Sequence, residues 1–135
     1  MALITGSPFR FTDGTIRIGT DNYEALVSAA ELVPTTTSST FKAINGDSHT
    51  KSGKASYTLN LSFAQDWEND DSLSNYLFEN EGTVVEAELR PASGGKGFAV
   101  EVELAAPNIG GTADTDAVST VAMGCQGKPT ILPAA

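Results

Sequence analysis

Lys54-Ala-Ser-Tyr57-Thr-Leu59-Asn-Leu61-Ser-Phe63-Ala64 alternates apolar and polar residues along its length. In an extended chain successive side chains point to opposite faces, so Tyr57, Leu59, Leu61 and Phe63 share one face. Ser56, Thr58, Asn60 and Ser62 share the other. The stretch predicts a strand lying on a core, and the segments on either side continue the pattern. Upstream, residues 15–20 set Ile16 and Ile18 against Thr15 and Arg17. Residues 23–36 form a longer run that loses phase near Ser28-Ala29-Ala30, which predicts a bulged strand or two strands meeting at a bend.

Downstream, residues 83–90 and 97–105 flank Pro91-Ala-Ser-Gly-Gly-Lys96, a glycine-rich connection suited to a hairpin. Val85, Ala87, Leu89, Phe98, Val100, Val102 and Leu104 make its apolar face. Glu86, Glu88, Glu101 and Glu103 share the polar face, where facing like charges repel. This row reads either as a solvated face that blocks edge aggregation or as an acidic wall. Residues 117–126 predict the final strand, with Val121, Met123 and Cys125 on one side. Pro129 and Pro133 predict an irregular C-terminal arm over 127–135.

A different period appears between Ser72 and Asn80. Leu73, Tyr76 and Leu77 recur at spacings of three and four, which predicts one short helix. Asp70, Asp71 and Ser72 offer N-cap oxygens and negative charge, and Gly82 stands beyond the end as a stop. Trp67 reads as a packing anchor. Several short strands plus one helix predict a mainly β fold, an antiparallel β-sandwich or partly closed barrel with the helix on its flank. At 135 residues the chain predicts a single domain, 1–135, with an N-terminal arm over 1–14.

Acidic residues outnumber Lys and Arg by 17 to 8, a formal charge of -9, which disfavours tight binding of nucleic acid. With one cysteine, Cys125, the chain has no intrachain disulfide and no multi-thiolate zinc site. Residues 1–8 lack the basic start and apolar run of a signal peptide, and no apolar run is long enough for a membrane helix. His49, the one histidine, stands in the polar stretch 45–53 with no catalytic partner at an interpretable spacing. Asp66, Glu68, Asp70 and Asp71 resemble a calcium loop, but Asp71 and Leu77 stand where its glycine and glutamate belong. The four hairpin glutamates lack the aromatic platform of a glycosidase cleft. Gly94-Gly95 and Gly110-Gly111 read as turns rather than phosphate cradles. The reading is of a protein that is not an enzyme and uses no cofactor or metal.

Two longer runs carry a resemblance. Leu59-Asn-Leu-Ser-Phe-Ala-Gln-Asp-Trp67 is followed by Ser72-Leu-Ser-Asn-Tyr-Leu-Phe-Glu-Asn-Glu-Gly82. Further on come Pro91-Ala-Ser-Gly-Gly-Lys-Gly-Phe98, Asn108-Ile-Gly-Gly-Thr-Ala-Asp114 and Gln126-Gly-Lys-Pro-Thr130. Together, from about residue 15 to 130, they resemble the major tail tube proteins of long, non-contractile-tailed (siphovirus-type) actinobacteriophages. Cys125 departs from the ordinary hydrophobe of that pattern.

The resemblance implies two packed antiparallel sheets with one helix alongside, and self-assembly into stacked hexameric rings that form a conduit for DNA ejection. It implies as partners the same chain, a tape measure protein, tail-tip and terminator proteins, with DNA as non-specifically conducted cargo and no membrane. The location implied is the virion tail, after assembly in the host cytoplasm. Glu86, Glu88, Glu101 and Glu103 would face the lumen. Residues 37–53 would form a flexible inter-ring loop presenting Asn45, Gly46, Asp47, His49 and Lys51. Two alternatives stand beside it, a β-sandwich ligand-binding module and another tail component, terminator or neck, of the same fold.

Overall fold

The computed structural model describes residues 2–6, 10–11, 13–92 and 94–134. Met1, Ser7, Pro8, Phe9 and Thr12 of the expected N-terminal arm, Ser93 of the glycine-rich connection, and Ala135 lie outside the described residues. Within them the chain forms β1 (Thr15–Ile18), β2 (Asp21–Asn22), β3 (Val27–Thr35), β4 (Ser38–Lys42), β5 (Ser48–Ser52) and β6 (Ser56–Ala64). There follow α1 (Leu73–Glu79), β7 (Val84–Arg90), β8 (Gly97–Glu103), β9 (Val118–Gly124) and β10 (Thr130–Leu132).

One sheet has the order β10-β8-β7-β1-β2 and the other β3-β6-β9, and every pairing is antiparallel. Their inner faces share a core. Leu59, Leu61 and Phe63 of β6 meet Ile16 and Ile18 of β1, Ala87 and Leu89 of β7, and Val100 and Val102 of β8. Each of these side chains other than Ala87 contributes roughly 1.5–3 kcal/mol on leaving water. The sandwich closes at one corner, where Cys125 bridges Val102 and the Gln126 N–H donates to the Glu101 carbonyl at 2.7 Å.

The alternation in β6 appears as expected, with all three large apolar residues at 1% exposure or less. The phase loss near Ser28 is a bulge: the β3–β6 register slips between Val27 and Ala29, then runs regularly to Thr35 opposite Ser56. The extra residue lets both ends of β3 keep inward positions.

Three expectations change. Residues 37–53, read as a loop, contain the antiparallel hairpin β4–β5, paired from Ser38↔Ser52 to Lys42↔Ser48. Its turn explains why: Ile44-Asn45-Gly46 closes through Ala43 N–H to Asp47 C=O at 2.7 Å, and Gly46 supplies the required positive φ of 98°. The C-terminal arm contains β10, whose Ile131 pairs with Phe98 of β8. At the helix, Ser72 caps as expected, its hydroxyl accepting from the Asn75 N–H and donating to the Asp66 carbonyl, but it does so alone among the three residues named. The expected capping role of Asp70 and Asp71 is not seen; the Asp71 N–H instead donates to Asn69 Oδ1 at 2.9 Å, in the turn before the helix.

Leu73 and Leu77 are buried, and Tyr76 stacks on Tyr23 with centroids 5.8 Å apart, fixing α1 against the β2 end of the larger sheet. Trp67 packs edge-on against Phe78 at 6.0 Å and its indole N–H donates to Gln65 Oε1. Burial, with Asp21, Tyr76 and Asp71 adding to it, pushes the Tyr23 hydroxyl up to about 12. The folded chain holds that proton more tightly than the unfolded chain, so stability is constant below the ordinary tyrosine value of 10.0 and falls as pH rises from there toward about 12. Tyrosinate absorbance should therefore show a late-ionising tyrosine, and Tyr23→Phe should abolish that phase.

Candidate functional site

The outer face of the five-stranded sheet carries the predicted glutamates. Odd and even residues of β7 and β8 alternate between core and surface, so Val85, Ala87 and Leu89 turn inward and Glu86, Glu88 and Arg90 outward. Register sets Glu86 directly opposite Glu101, and Glu103 opposite Val84. The four carboxylates thus share a face, as their alternation predicted.

Two arginines that the sequence did not point to lie among them. Arg17 of β1 sits opposite Glu88 and reaches Glu86 at 2.7 Å and Glu88 at 3.1 Å. Arg90 holds Glu88 from its other side at 2.7 Å. Arg90 also donates to the Gly95 and Pro133 carbonyls, tying the glycine-rich connection to the C-terminal segment. It lies across Gly97, where an added Cβ would come within 2.7 Å of its Cγ. The face is therefore divided. Glu86 and Glu88 are paired, while Glu101 and Glu103 form no ion pair among the described residues.

Partial burial alone would raise the Glu88 carboxyl, but hydrogen bonds and charge from Arg17 and Arg90 outweigh it and hold Glu88 below its ordinary value. Hydrogen bonds from Glu86 and then Glu88 push the Arg17 guanidinium up.

The second feature is the β4–β5 arm. Every residue of both strands is exposed. Phe41 stacks on its cross-strand partner His49 at 6.4 Å, and Thr40 and Thr50 hydroxyls meet at 3.2 Å. Asn45 and Asp47 bond to each other across the turn, so Asn45, Gly46 and Asp47 form the tip, with His49 and Lys51 on the return strand. Phe41 stays 68% exposed, and Ile44 stands fully in water. Asn45-Gly46 was the missed signal, since that dipeptide between two short alternating runs marks a hairpin.

At the opposite end of β6, Gln65 acts as a hub. Its backbone N–H donates to the Ala117 carbonyl, and its side chain exchanges hydrogen bonds with Gly110 while accepting from Trp67. Around it stand the exposed apolar side chains of Leu26, Phe78, Ile109 and Val118. Hydrogen bonding to residues 45 positions away is not legible in a linear sequence. Between the sheets, at the arm's end, an open apolar groove of about 620 Å³ is lined by Leu32, Tyr57, Leu89, Phe98 and Ile131. Cys125 is half-buried and burial raises its thiol. No cluster of metal-ligating side chains occurs among the described residues.

Neither a family model nor a curated protein matches the chain. Among solved structures, it is similar to the sheath/tube terminator of an extracellular contractile injection system, PVC, in the extended state. The TM-score is 0.63 at 10% sequence identity, over 95% of this chain and 99% of that one. This is a likeness of fold. It extends through the whole sandwich rather than one sheet of it, and it fits the mainly β, helix-flanked architecture expected from the alternation.

A carboxylate held below its ordinary value stabilises the fold at neutral pH, and that contribution disappears as pH falls through the lowered value. Arg17→Gln should remove part of it. Because the groups are partly exposed, the loss at neutral pH should be no more than about 1 kcal/mol. Thermal melts of both proteins from neutral to acidic pH should show a shallower decline for the variant.

Proposed function

We propose that this chain is a structural, non-enzymatic subunit of a phage-tail-type apparatus, closing with copies of itself into rings around a DNA conduit. The observation that carries the reading is an ordered, wholly exposed hairpin on a sandwich of tail-terminator fold. Phe41 and Ile44 lose favourable burial in the isolated chain, and contact with a neighbour would recover it. The family resemblance in the sequence supports the tube itself, of the siphovirus type, as the place of this subunit. The structural likeness favours a second reading, a terminator ring at the end of such a tube.

In either case the function is mechanical. The outer face with Glu101 and Glu103 forms the lumen wall, where like charge keeps a polyanion from adhering as it slides. Within the Debye length of roughly 8–10 Å near physiological salt, the wall repels without gripping. Arg17 and Arg90 brace the glutamates nearest the middle of the sheet, so the wall carries its charge without splaying β7 from β8. The partners are copies of this chain, a tape measure protein and the tail-tip and terminator proteins. Its place is the virion tail, built in the host cytoplasm.

Negative-stain microscopy of concentrated protein, or protein seeded with tail tips, tests the reading. Long hollow tubes are the outcome for a tube subunit and single rings for a terminator; dispersed particles under both conditions would sink it. Deleting residues 41–53 should leave a folded monomer, shown by an unchanged cooperative melt, that no longer assembles. Glu101→Lys with Glu103→Lys leaves the arginine pairs intact and should slow genome ejection while tubes still form. An unchanged ejection rate would place this face elsewhere than the lumen.

A further inference from the structure

Of the chain's seven asparagines, Asn45 alone is followed by glycine, and the other six precede residues that carry a side chain. At the arm's tip Ile44, Asn45, Gly46 and Asp47 are all exposed. The Asp47 N–H donates to Asn45 Oδ1 at 3.1 Å, a turn that folds the Asn45 side-chain amide back over the next peptide. The ring closed by this bond contains both Asn45 Cγ and the Gly46 nitrogen, so an electrophile and a nucleophile are held within one small loop. The same bond draws electron density from Cγ and is aimed at the oxygen that takes up charge when Cγ is attacked.

Gly46 leaves the approach open. Its φ is +98° and no heavy atom lies within 4 Å of the place a Cβ would occupy. On any other residue a Cβ would crowd the nitrogen as it closed on Cγ. Asn69 supplies the contrast within the same chain: its Oδ1 accepts from the Asp71 N–H at 2.9 Å in the same kind of turn, but the residue between them, Asp70, carries a side chain. One bond opposes the step at Asn45, where the Gly46 N–H donates to the Ala43 carbonyl at 3.0 Å. It lies at the exposed end of a two-stranded hairpin, where local opening costs little.

We propose that Asn45 is a site of spontaneous modification, at which its side-chain amide closes on the Gly46 nitrogen and reopens as aspartate or isoaspartate. The Gly46 nitrogen gives its proton to hydroxide and attacks Asn45 Cγ. A new C–N bond forms, the bond from Cγ to Nδ2 breaks, and Nδ2 departs as ammonia after taking a proton from water. Water then adds to one of the two carbonyls of the five-membered imide. Breaking the newly made C–N bond gives aspartate, and breaking the original peptide bond gives isoaspartate. One water is consumed, one ammonia is released, and nothing is oxidised or reduced.

Both products act on the hairpin. Asn45 Nδ2 donates to Asp47 Oδ2 at 3.0 Å, and conversion replaces that donor with a second carboxylate, setting like charges against each other. The segment 37–54, which holds Lys42, Lys51 and Lys54 against Asp47 alone, gains a second acid. Isoaspartate also lengthens the backbone of the turn by one carbon. Turn length fixes hairpin register, so the pairing of Lys42 with Ser48 and the stacking of Phe41 on His49 are lost. The proposal rests on the hairpin's own geometry and holds whichever assembly the chain enters.

Peptide mapping by mass spectrometry of the folded, full-length protein, aged from neutral to mildly alkaline pH, tests it. The tryptic peptide of residues 43–51 should gain the mass difference between an amide and an acid and split into two forms, faster as pH rises because the nucleophile is a deprotonated amide. The peptide carrying Asn69 should convert several-fold more slowly. Asn45→Gln, which moves the amide carbon one bond farther from the Gly46 nitrogen and leaves Gly46 in place, should stop the change. In NMR spectra the His49 ring signals, displaced by the Phe41 ring, should lose that displacement in the isoaspartyl fraction and keep it in Asn45→Gln. Asn45 surviving in the folded protein while converting in urea would show that the Gly46–Ala43 bond protects it, and would overturn the proposal. Equal conversion of Asn69 would overturn the role given to Gly46, and unchanged His49 signals in the isoaspartyl fraction would overturn the effect on register.

Discussion

The inward row of β6, Leu59, Leu61 and Phe63, is the constraint on which the rest of the molecule depends. These side chains have almost no exposure, and β6 is the central strand of its sheet, hydrogen-bonded to β3 on one side and β9 on the other. A slip of one residue would turn all three to solvent, so the register of the whole three-stranded sheet is fixed by their burial. β3 keeps that register by carrying its surplus residue as a bulge at Val27/Ala29. The strand also sets where the arm and the Gln65 hub stand. The arm leaves from the Thr35↔Ser56 end, and the Gln65 hub follows Ala64 directly.

Charge plays a different part from burial. The Arg17–Glu86–Glu88–Arg90 network is partly exposed and contributes little to stability, yet it decides which carboxylates remain free. Glu101 and Glu103 stand exposed and form no ion pair among the described residues, while Glu88 is clasped from two sides. The same division by location appears at the ends of β6, with the lysines on the arm and the aspartates around the hub. An overall charge of -9 hides this polarity.

The sheet margins are treated unequally. β3 carries Glu31, Pro34 and a bulge, three features that discourage a further strand from adding to its edge. β9 has no charged residue, but part of its margin is occupied: Asn108 Oδ1 accepts from the Thr120 N–H, and its carbonyl accepts from the Ser119 hydroxyl. Immediately beyond β9, Gln126 crosses to Glu101 of the other sheet. The β4–β5 hairpin, by contrast, is exposed at every residue of both strands.

Local alternation, read along the sequence alone, determined the β6 strand, the β7–β8 hairpin with its shared glutamate face, the loss of phase near Ser28 and the short helix at Leu73–Glu79. Each follows from which neighbours along the chain must share a face, and that is a local property. The sequence reading misjudged the stretch around Asn45-Gly46, where polarity outweighed the turn signal, and part of the cap: Ser72 reaches Asn75 as expected, while Asp70 and Asp71, expected beside it, do not cap the helix. Only the tertiary structure decided the pairing of Arg17 with Glu86 and Glu88, the meeting of Gln65 with Gly110, and the placement of a basic arm and an acidic pole at opposite ends of one strand. Those relations join residues tens of positions apart through sheet register, and register is set by the packing of the whole core rather than by any segment within it.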